Sequence, residues 1–392
     1  MHSGESGSAR GDGTQTVRLE RAVAGGVVLG HDPDGRVVLA SGGLPGELVG
    51  IEVDHERKSL LQGRVVNVLE PSPHRVAPPC PLVARGCGGC DLQHADAEMQ
   101  RSMRIEVVRD ALGHLAGLDS VPVAQREPDA PTDGRTTMRL AVLEDGPNEG
   151  ALALRQRRSH DLLRVEKCLV AHPLLAPVLA EGRFPGETEV TVRASAATGE
   201  VLVSSSSHRD RRGAVTEEVG GHRFRVSSGS FFQSGPVAAA SLARAVGRAL
   251  GGFDPGHDRL VDLYGGVGLF TVLLGARNAE IVERSGSAAS DARINTRHVG
   301  AKVVRSSVER WRPSAADAVV ADPSRSGMGA GGVDAVAATG AARVALVSCD
   351  PAAMGRDISL MVQAGYEPTG VEVLDMFPHT HHVEAVTSLV RR

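Results

Sequence analysis

The 392-residue sequence has little of several features that would assign its class at once. Aromatic residues make up only 3%, and 43 Lys and Arg nearly balance 47 Asp and Glu, which leaves a net charge of −4. No run approaches the roughly 20 apolar residues of a membrane span, and the first 13 residues lack the apolar stretch of a signal peptide. We therefore predict a soluble, cytoplasmic protein with no membrane partner and without the overall basic charge typical of nucleic-acid-binding proteins.

Cysteine is also scarce, but its distribution is informative. Cys80, Cys87 and Cys90 fall within eleven residues, and Cys168 and Cys349 lie far downstream. An odd number clustered in this way is unlike a secreted disulfide framework and is typical of a metal or cluster site plus one separate thiol. Four thiolates suit either a [4Fe-4S] cluster or a zinc ion, and the spacing alone does not separate the two.

The first two thirds of the sequence divide into three parts. A Gly/Ser-rich leader at 1–13 is expected to be disordered, and short β-rich runs with Gly, Pro and Asp turns fill residues 14–72. Five strands in so short a segment predict an oligonucleotide-binding (OB-like) barrel, or another small barrel with a purely structural role. Residues 73–215 hold the clustered cysteines, a helical stretch and short strands, which predicts a central α+β domain.

The last part, residues 216–392, alternates strands and helices and so predicts an α/β domain with a mostly parallel, Rossmann-like sheet. Its first strand turns into a helix through Tyr264-Gly265-Gly266-Val267-Gly268. Thr271 stands where the third glycine of a dinucleotide fingerprint would be, so a smaller nucleotide-like ligand fits better. Glu283, about 20 residues farther on, is placed to accept hydrogen bonds from ribose hydroxyls.

Two further predicted strands end at chemically distinctive residues. Asp322 follows the strand at 318–321, and Cys349 follows the strand at 343–347. Because ligands of open α/β sheets bind at the carboxyl ends of the strands, we expect four strand ends to meet at one crevice. Taken singly, each acidic residue is equally explained as a helix cap or turn residue, and Cys349 as a buried core thiol. Taken together, they favour an S-adenosylmethionine site.

Several segments, in this order, resemble the RNA uracil-C5 methyltransferase family of the TrmA and RumA type. The matching segments are 230–233 (SFFQ), 262–268 (DLYGGVG), 322–327 (DPSRSG), 348–351 (SCDP) and 382–384 (HVE). The resemblance spans residues 15–390 and implies a class I enzyme that uses S-adenosylmethionine to make 5-methyluridine in RNA. It also implies that the N-terminal barrel is a TRAM domain, an RNA-binding module.

The resemblance implies roles for individual residues. Cys349 is expected to add to C6 of uracil as a nucleophile, and Glu384 to remove the C5 proton after methyl transfer. The residues expected to bind S-adenosylmethionine are Gln233, Tyr264, Gly265, Glu283 and Asp322. The two adjacent residues Phe231 and Phe232 are expected to stack on a base or to fill core space.

The cysteine cluster resembles that of the rRNA-type family members, at residues 87–94 and again around Cys168. This implies a [4Fe-4S] cluster held by Cys80, Cys87, Cys90 and Cys168, and it favours structured rRNA over tRNA as the partner. No obligate protein partner is evident. Three other interpretations stay open: a tRNA uridine-C5 methyltransferase, a cytosine-C5 methyltransferase, and an RNA-binding or chaperone protein on a methyltransferase scaffold.

Overall fold

The computed structural model describes residues 14–127, 130–205 and 213–392, so the leader expected to be disordered lies outside the described residues. The N-terminal strands are β1 (Thr14–Val23), β2 (Val27–His31), β3 (Val37–Ser41), β4 (Leu48–Arg57) and β5 (Leu60–Glu70). They form a closed barrel in the order β1-β2-β3-β5-β4, with β1 paired to β4. Alternate apolar residues such as Val17, Leu19 and Ile51 fill its interior. The predicted five-stranded barrel is confirmed.

The cysteine-rich segment follows the barrel. It contains α1 (Pro81–Ala84) and α2 (Ala97–Ala111), and α2 begins where Asp96 accepts a hydrogen bond from the Met99 N–H at 2.8 Å. The next elements are β6 (Val123–Ala124), β7 (Thr137–Val142), β8 (Leu152–Arg155), β9 (Leu162–Arg164), α3 (Ala176–Glu181), β10 (Glu189–Ala194) and β11 (Val201–Ser205). An antiparallel sheet joins five of these strands in the order β11-β10-β7-β8-β9.

The C-terminal part is built on one large sheet. After the hairpin β12 (Ala214–Val219) and β13 (His222–Ser227), the elements are α4 (Pro236–Ala249), β14 (Arg259–Leu263), α5 (Leu269–Leu273), β15 (Asn278–Glu283), α6 (Gly286–Asn295), β16 (Lys302–Arg305), β17 (Ala318–Ala321), α7 (Gly329–Thr339), β18 (Arg343–Ser348), α8 (Pro351–Gln363), β19 (Tyr366–Leu374) and β20 (Glu384–Arg391). The sheet order is β16-β15-β14-β17-β18-β20-β19-β6. Strands β14 to β18 are parallel, whereas β20 is antiparallel to both of its neighbours.

Two strands of this sheet escaped sequence reasoning. β16 is only four residues long and has charged residues, Lys302 and Arg305, at its two ends, and β6 contributes just Val123 and Ala124. Strands this short cannot show a periodic apolar pattern. They form because they pair with a neighbouring strand, which their own sequence does not reveal.

One apolar core connects the barrel to the large sheet. Leu19 of the barrel, Val108 of α2 and Leu346 of β18 belong to the same set of packed, buried side chains. Helix α2 therefore lies between the barrel and the sheet, and this packing brings the cysteine-rich segment toward the carboxyl ends of the strands. Among the helices in the described ranges, none combines the length and apolarity that a membrane span needs.

Candidate active site

The turn after β14 has the backbone geometry of a ligand-binding loop. Gly266 and Gly268 have φ values of +54° and +85°, which favour glycine, and Tyr264 between them and the strand is also left-handed at +58°. A Cβ atom on Gly265 would come within 2.7 Å of Ile281 Cγ2. The loop is therefore both strained and closely packed, with no room for a side chain at Gly265.

A buried carboxylate, Asp262, holds this loop from below. Its Oδ2 atom accepts hydrogen bonds from the Thr271 N–H at 3.3 Å and the Thr271 Oγ1 at 2.8 Å. Its Oδ1 atom is buried and has no hydrogen-bond partner within the described part of the chain. Burial raises the pKa of Asp262 to about 7, and the nearby charge of Glu283 adds to this shift.

Glu283, at the end of β15, contacts the same loop. Its two carboxylate oxygens accept hydrogen bonds from the Gly266 N–H at 3.0 Å and the Ser285 N–H at 2.5 Å. The predicted ribose contact stays a prediction, and each of these oxygens retains a second lone pair for a hydroxyl donor. The Tyr264 side chain is half-buried, and burial raises its pKa to about 12, with the charges of Glu309 and Asp357 contributing.

Asp322 follows β17 at the centre of the crevice. Gln233 reaches it from the loop before α4, and the distance from Gln233 Nε2 to Asp322 Oδ2 is 3.4 Å. Burial raises the pKa of Asp322 to about 7, and the charge of Asp262 adds to the shift. Two of the predicted cofactor residues, far apart in sequence, thus lie in direct contact.

The loop that carries Gln233 is fixed by polar contacts. Ser230 donates a hydrogen bond to Asp291 of α6 at 2.6 Å, and the buried Arg193 donates to the Ser230 carbonyl at 2.7 Å. Of the two adjacent phenylalanines, one is a core residue and the other lies on the surface. Phe232 is buried against Phe224, with 6.3 Å between ring centroids, whereas Phe231 is 71% exposed.

Cys349 and Glu384 meet at the end of the β18–β20 ladder. The antiparallel register pairs Ser348 with Ala385, so the next pair along the ladder is Cys349 and Glu384. Asp350 caps α8 by accepting a hydrogen bond from the Ala353 N–H at 2.8 Å, which holds Cys349 at the helix N-terminus. The two residues predicted to react with the base are therefore opposite each other.

Electrostatics link this pair to the crevice. Burial raises the pKa of the Cys349 thiol to about 11, with the carboxylates of Glu384 and Asp322 contributing, whereas Arg325 opposes the shift. Burial also raises the pKa of Glu384 well above its ordinary value, with Asp322 as the second cause. The crevice thus favours neutral acid groups, and a cationic ligand placed among them would favour their ionised forms.

The four remaining cysteines are not all brought together. Cys87 and Cys90 are buried. Burial raises the pKa of Cys90 to about 11, and the nearby charges of Cys168 and Cys87 add to this shift. Cys80 is tied to this region through its N–H, which donates to Gln93 Oε1 at 3.1 Å. Across the described residues, no group of three or more Cys, His, Asp or Glu side chains is arranged to hold a single metal ion.

Some residues that shape the site were not predicted from the sequence. Asp262 lies inside the predicted loop motif. An acidic residue within an otherwise apolar strand could have indicated that it shapes the site. Arg193 and Asp291, which hold the Gln233 loop, carry no local signal because their partners lie 37 and 61 residues away.

Comparison with solved structures places the fold. The chain shares its architecture with a Pyrococcus abyssi tRNA (uracil-54, C5)-methyltransferase solved in complex with S-adenosyl-L-homocysteine, with a TM-score of 0.71 at 21% identity. The match covers 95% of this chain and all of that one. The chain therefore has a methyltransferase fold, and its glycine loop and carboxylates lie at the strand ends of that fold.

Sequence comparison narrows the class, although no family model matches the chain. A Streptomyces avermitilis protein named as an uncharacterised RNA methyltransferase is 33% identical over 95% of this chain and 97% of its own length. A 23S rRNA (uracil(1939)-C(5))-methyltransferase, RlmD, from Chromohalobacter salexigens is 32% identical over 99% of this chain and 92% of its own. The chain therefore belongs to the S-adenosylmethionine-dependent RNA uracil-C5 methyltransferase family.

Proposed function

We propose that this enzyme methylates C5 of a uridine in RNA through a covalent bond between Cys349 and C6 of the base. The observation that carries the proposal is the pairing of Cys349 with Glu384 at the end of β18 and β20, beside Asp322. C5 of uracil is a weak nucleophile. Addition of the Cys349 thiolate to C6 moves electron density onto C5 as an enolate. C5 then bonds to the methyl carbon of S-adenosylmethionine as the S–CH3 bond breaks, and S-adenosylhomocysteine leaves with the electrons of that bond.

Glu384 completes the reaction as the base. After methylation, C5 carries both a proton and the methyl group, and Glu384 removes the proton. The electrons of the C5–H bond form the C5–C6 double bond, and the C6–S bond breaks to release the Cys349 thiolate. The register of β18 and β20 supports this role because Ser348 pairs with Ala385, which makes Cys349 and Glu384 the next residues along the two strands. The burial of Glu384 keeps competing water away from the base.

S-adenosylmethionine supplies the methyl group as an electrophilic sulfonium. We assign its binding to Gln233, Tyr264, Gly265, Glu283 and Asp322. Asp262 and Asp322 support the assignment because the pKa of each is raised to about 7, so a bound cation relieves the cost of ionising them. The exposed Phe231 offers an aromatic face beside this site for stacking on a base of the RNA.

We propose rRNA as the substrate and assign RNA binding to the N-terminal barrel as a TRAM domain at 14–72. A central domain at 73–215 and a catalytic domain at 216–392 complete this division. The relatives named as 23S rRNA methyltransferases support rRNA. The target base must leave its stack to reach Cys349, so an unpaired uridine is the expected target.

We further propose that Cys80, Cys87, Cys90 and Cys168 hold a [4Fe-4S] cluster. Four thiols suit the donor set of such a cluster. Besides burial, the charges of Cys87 and Cys168 help to raise the pKa of Cys90, and the charge of Cys87 helps to raise that of Cys168, which supports their proximity. A zinc ion suits the same four thiols. The resemblance of residues 87–94 and of Cys168 to the cysteine segments of the rRNA-type family members is what favours the iron–sulfur cluster. Methyl transfer needs no electron from it.

Nucleotide mapping in cells with and without the gene tests the proposed reaction. We expect one 5-methyluridine in 23S rRNA to disappear on deletion and to return with the intact gene, but not with a Cys349→Ala variant. Loss of 5-methyluridine from tRNA would instead assign a tRNA substrate. If neither RNA changes, the proposed function is wrong.

A further inference from the structure

The segment before Glu384 is attached to the cysteine-rich part of the chain. We call residues 375–383, which connect β19 to β20, the base loop. The Leu92 N–H donates a hydrogen bond to the His379 carbonyl at 2.9 Å, and the His381 N–H donates to Asp91 Oδ1 at 2.9 Å. The other oxygen of Asp91 pairs with the His381 ring. Two residues that directly follow Cys90 therefore fix the backbone of the base loop.

Helix α2 holds the same loop from a second side. The His379 N–H donates to Gln100 Oε1 at 2.9 Å, and the buried Arg104 pairs with Asp375 at 2.5 Å. These contacts fix the beginning and the middle of the base loop. His379 itself is left-handed, with φ of +64°, so the loop needs outside contacts to keep its shape.

The barrel covers the pair of Asp91 and His381. A Cβ atom on Gly26, in the turn between β1 and β2, would come within 2.5 Å of Asp91 Oδ2 and 3.0 Å of His381 Cβ. The Asp91 side chain is only 16% exposed. Because water has little access, these charge-assisted hydrogen bonds hold the loop more firmly than a surface pair would.

We propose that Asp91 is a positioning residue for Glu384, acting through His381 and the backbone of the base loop; this inference rests on the proposed function of Glu384 as the base. Val383 alone separates the fixed His381–His382 turn from the carboxylate. Asp91 thereby makes the geometry of proton removal depend on the cysteine-rich segment, which is otherwise remote from the chemistry.

The order of the chemical steps gives this role a specific signature. Addition to C6 and methyl transfer use Cys349, which β18 and α8 position independently of Asp91. Proton removal from C5 uses Glu384. A displaced Glu384 therefore slows the last step alone, so the methylated RNA stays bonded to Cys349, and this adduct accumulates.

The test compares two substitutions at one position. Asp91→Ala removes both hydrogen-bond acceptors, whereas Asp91→Asn keeps an oxygen that accepts from the His381 N–H. With 23S rRNA transcript and S-adenosylmethionine, we expect Asp91→Ala to lower kcat about tenfold to a hundredfold with little change in KM. Denaturing gels should show a stable protein–RNA adduct. We expect Asp91→Asn to restore most of the activity and to remove most of the adduct.

The control uses a similar pair far from the site. Asp254 accepts from the Gly256 N–H at 2.8 Å and pairs with the His257 ring at 3.0 Å, but both side chains are exposed. Asp254→Ala should leave kcat and the amount of adduct unchanged. Bound iron, measured in every variant, should be equal in the wild type and in Asp91→Ala, which separates positioning from loss of a cluster.

Several results would overturn the inference. They are wild-type kinetics in Asp91→Ala, a fall in its activity without adduct, or an Asn variant as impaired as the Ala variant. If Asp91→Ala does not fold, His381→Ala provides the second test, because it removes the ring contact and should give a smaller accumulation of adduct. The Glu384→Gln variant distinguishes the two proposals. If Glu384→Gln forms no adduct, the proposed function fails. If Glu384→Gln forms the adduct but Asp91→Ala and His381→Ala do not, only the role of Asp91 is contradicted.

Discussion

Cys349 and Cys90 make an instructive pair, because burial raises the pKa of each thiol to about 11. Their neighbours differ. The charged neighbours of Cys349 include two carboxylates, whereas those of Cys90 include two other thiols, and each cysteine also has an arginine nearby. A thiol opposite a carboxylate base is equipped for addition and elimination, and a thiol among thiols is equipped to share a soft metal. The surroundings of a buried cysteine, rather than its burial, therefore indicate its chemistry.

The largest expected effect comes from removing the reactive thiol. Cys349→Ala should reduce formation of 5-methyluridine by about 10⁴-fold or more, because alanine offers no nucleophile that could add to C6. Tritium transfer from labelled S-adenosylmethionine to rRNA measures the loss. RNA affinity, measured by filter binding, should stay within a few fold of wild type. Substantial turnover by this variant would contradict the claim that the surroundings of Cys349, unlike those of Cys90, indicate a nucleophile.

Removing the base should have the next largest effect. Glu384→Gln keeps the size of the side chain but cannot take the C5 proton, so turnover should fall about 10²- to 10⁴-fold. The methylated adduct should accumulate on denaturing gels. Adding Cys349→Ala to this variant should abolish the adduct. Free turnover by Glu384→Gln would contradict the assigned role.

The thiol-rich site should respond differently. Cys90→Ser should lower bound iron about tenfold or more after anaerobic purification, because one of four thiolate ligands is lost. Methylation should fall far less than in Cys349→Ala, since the reaction needs no electron. Iron analysis and thiol titration provide the measurement. A wild-type protein with four free thiols, no iron and normal activity would contradict the cluster.

The smallest expected effect is a difference in the pH dependence of stability between an acidic residue of the crevice and one on the protein surface. The pKa of Asp262 is about 7 in the fold against an ordinary value of 3.8, so the folded state keeps a proton that the unfolded chain releases between these values. This contribution to the free energy of unfolding is present at acid pH and is lost as pH rises to about 7, with a slope of at most about 1.4 kcal/mol per pH unit. Urea unfolding of Asp262→Asn across this window should show a smaller slope than the wild type, because only the contribution of Asp262 is lost.

A matched surface residue, Asp254, should show the opposite sign. The backbone hydrogen bond from Gly256, followed by the side-chain contact with His257, lowers the pKa of Asp254. Its contribution to stability is therefore lost as pH falls rather than as it rises. Asp254→Asn should flatten the acid side of the stability curve, whereas Asp262→Asn should flatten the side toward neutral pH. Identical pH profiles for the two variants would mean that the crevice does not differ from the surface.

Motifs at the strand ends made much of the site predictable from the sequence. Glu283, Asp322 and Cys349 each lie at the end of a short apolar strand or directly after it, and parallel strands end at the same edge of a sheet. The barrel was predictable for a similar reason, because its strands alternate apolar and polar residues between turn signals.

The contacts that tie these parts together were not predictable. Asp91 and His381 are 290 residues apart, and neither lies in a periodic pattern that would pair them. The contact between Gln233 and Asp322 was equally unpredictable, because 89 residues separate them in the sequence. Such contacts arise from how the barrel, α2 and the large sheet pack, and local sequence carries no record of that packing.

Trapping the covalent intermediate in the unaltered protein tests the central claim most directly. In a 23S rRNA transcript made with 5-fluorouridine, C5 carries fluorine in place of the proton, so Glu384 has nothing to remove and the C6–S bond stays intact. Mass spectrometry after ribonuclease and protease digestion should find a methylated fluorouridine nucleotide on the peptide that contains Cys349. An adduct on Cys80, Cys87, Cys90 or Cys168 instead, or no adduct from a protein that methylates the unmodified transcript, would contradict the account.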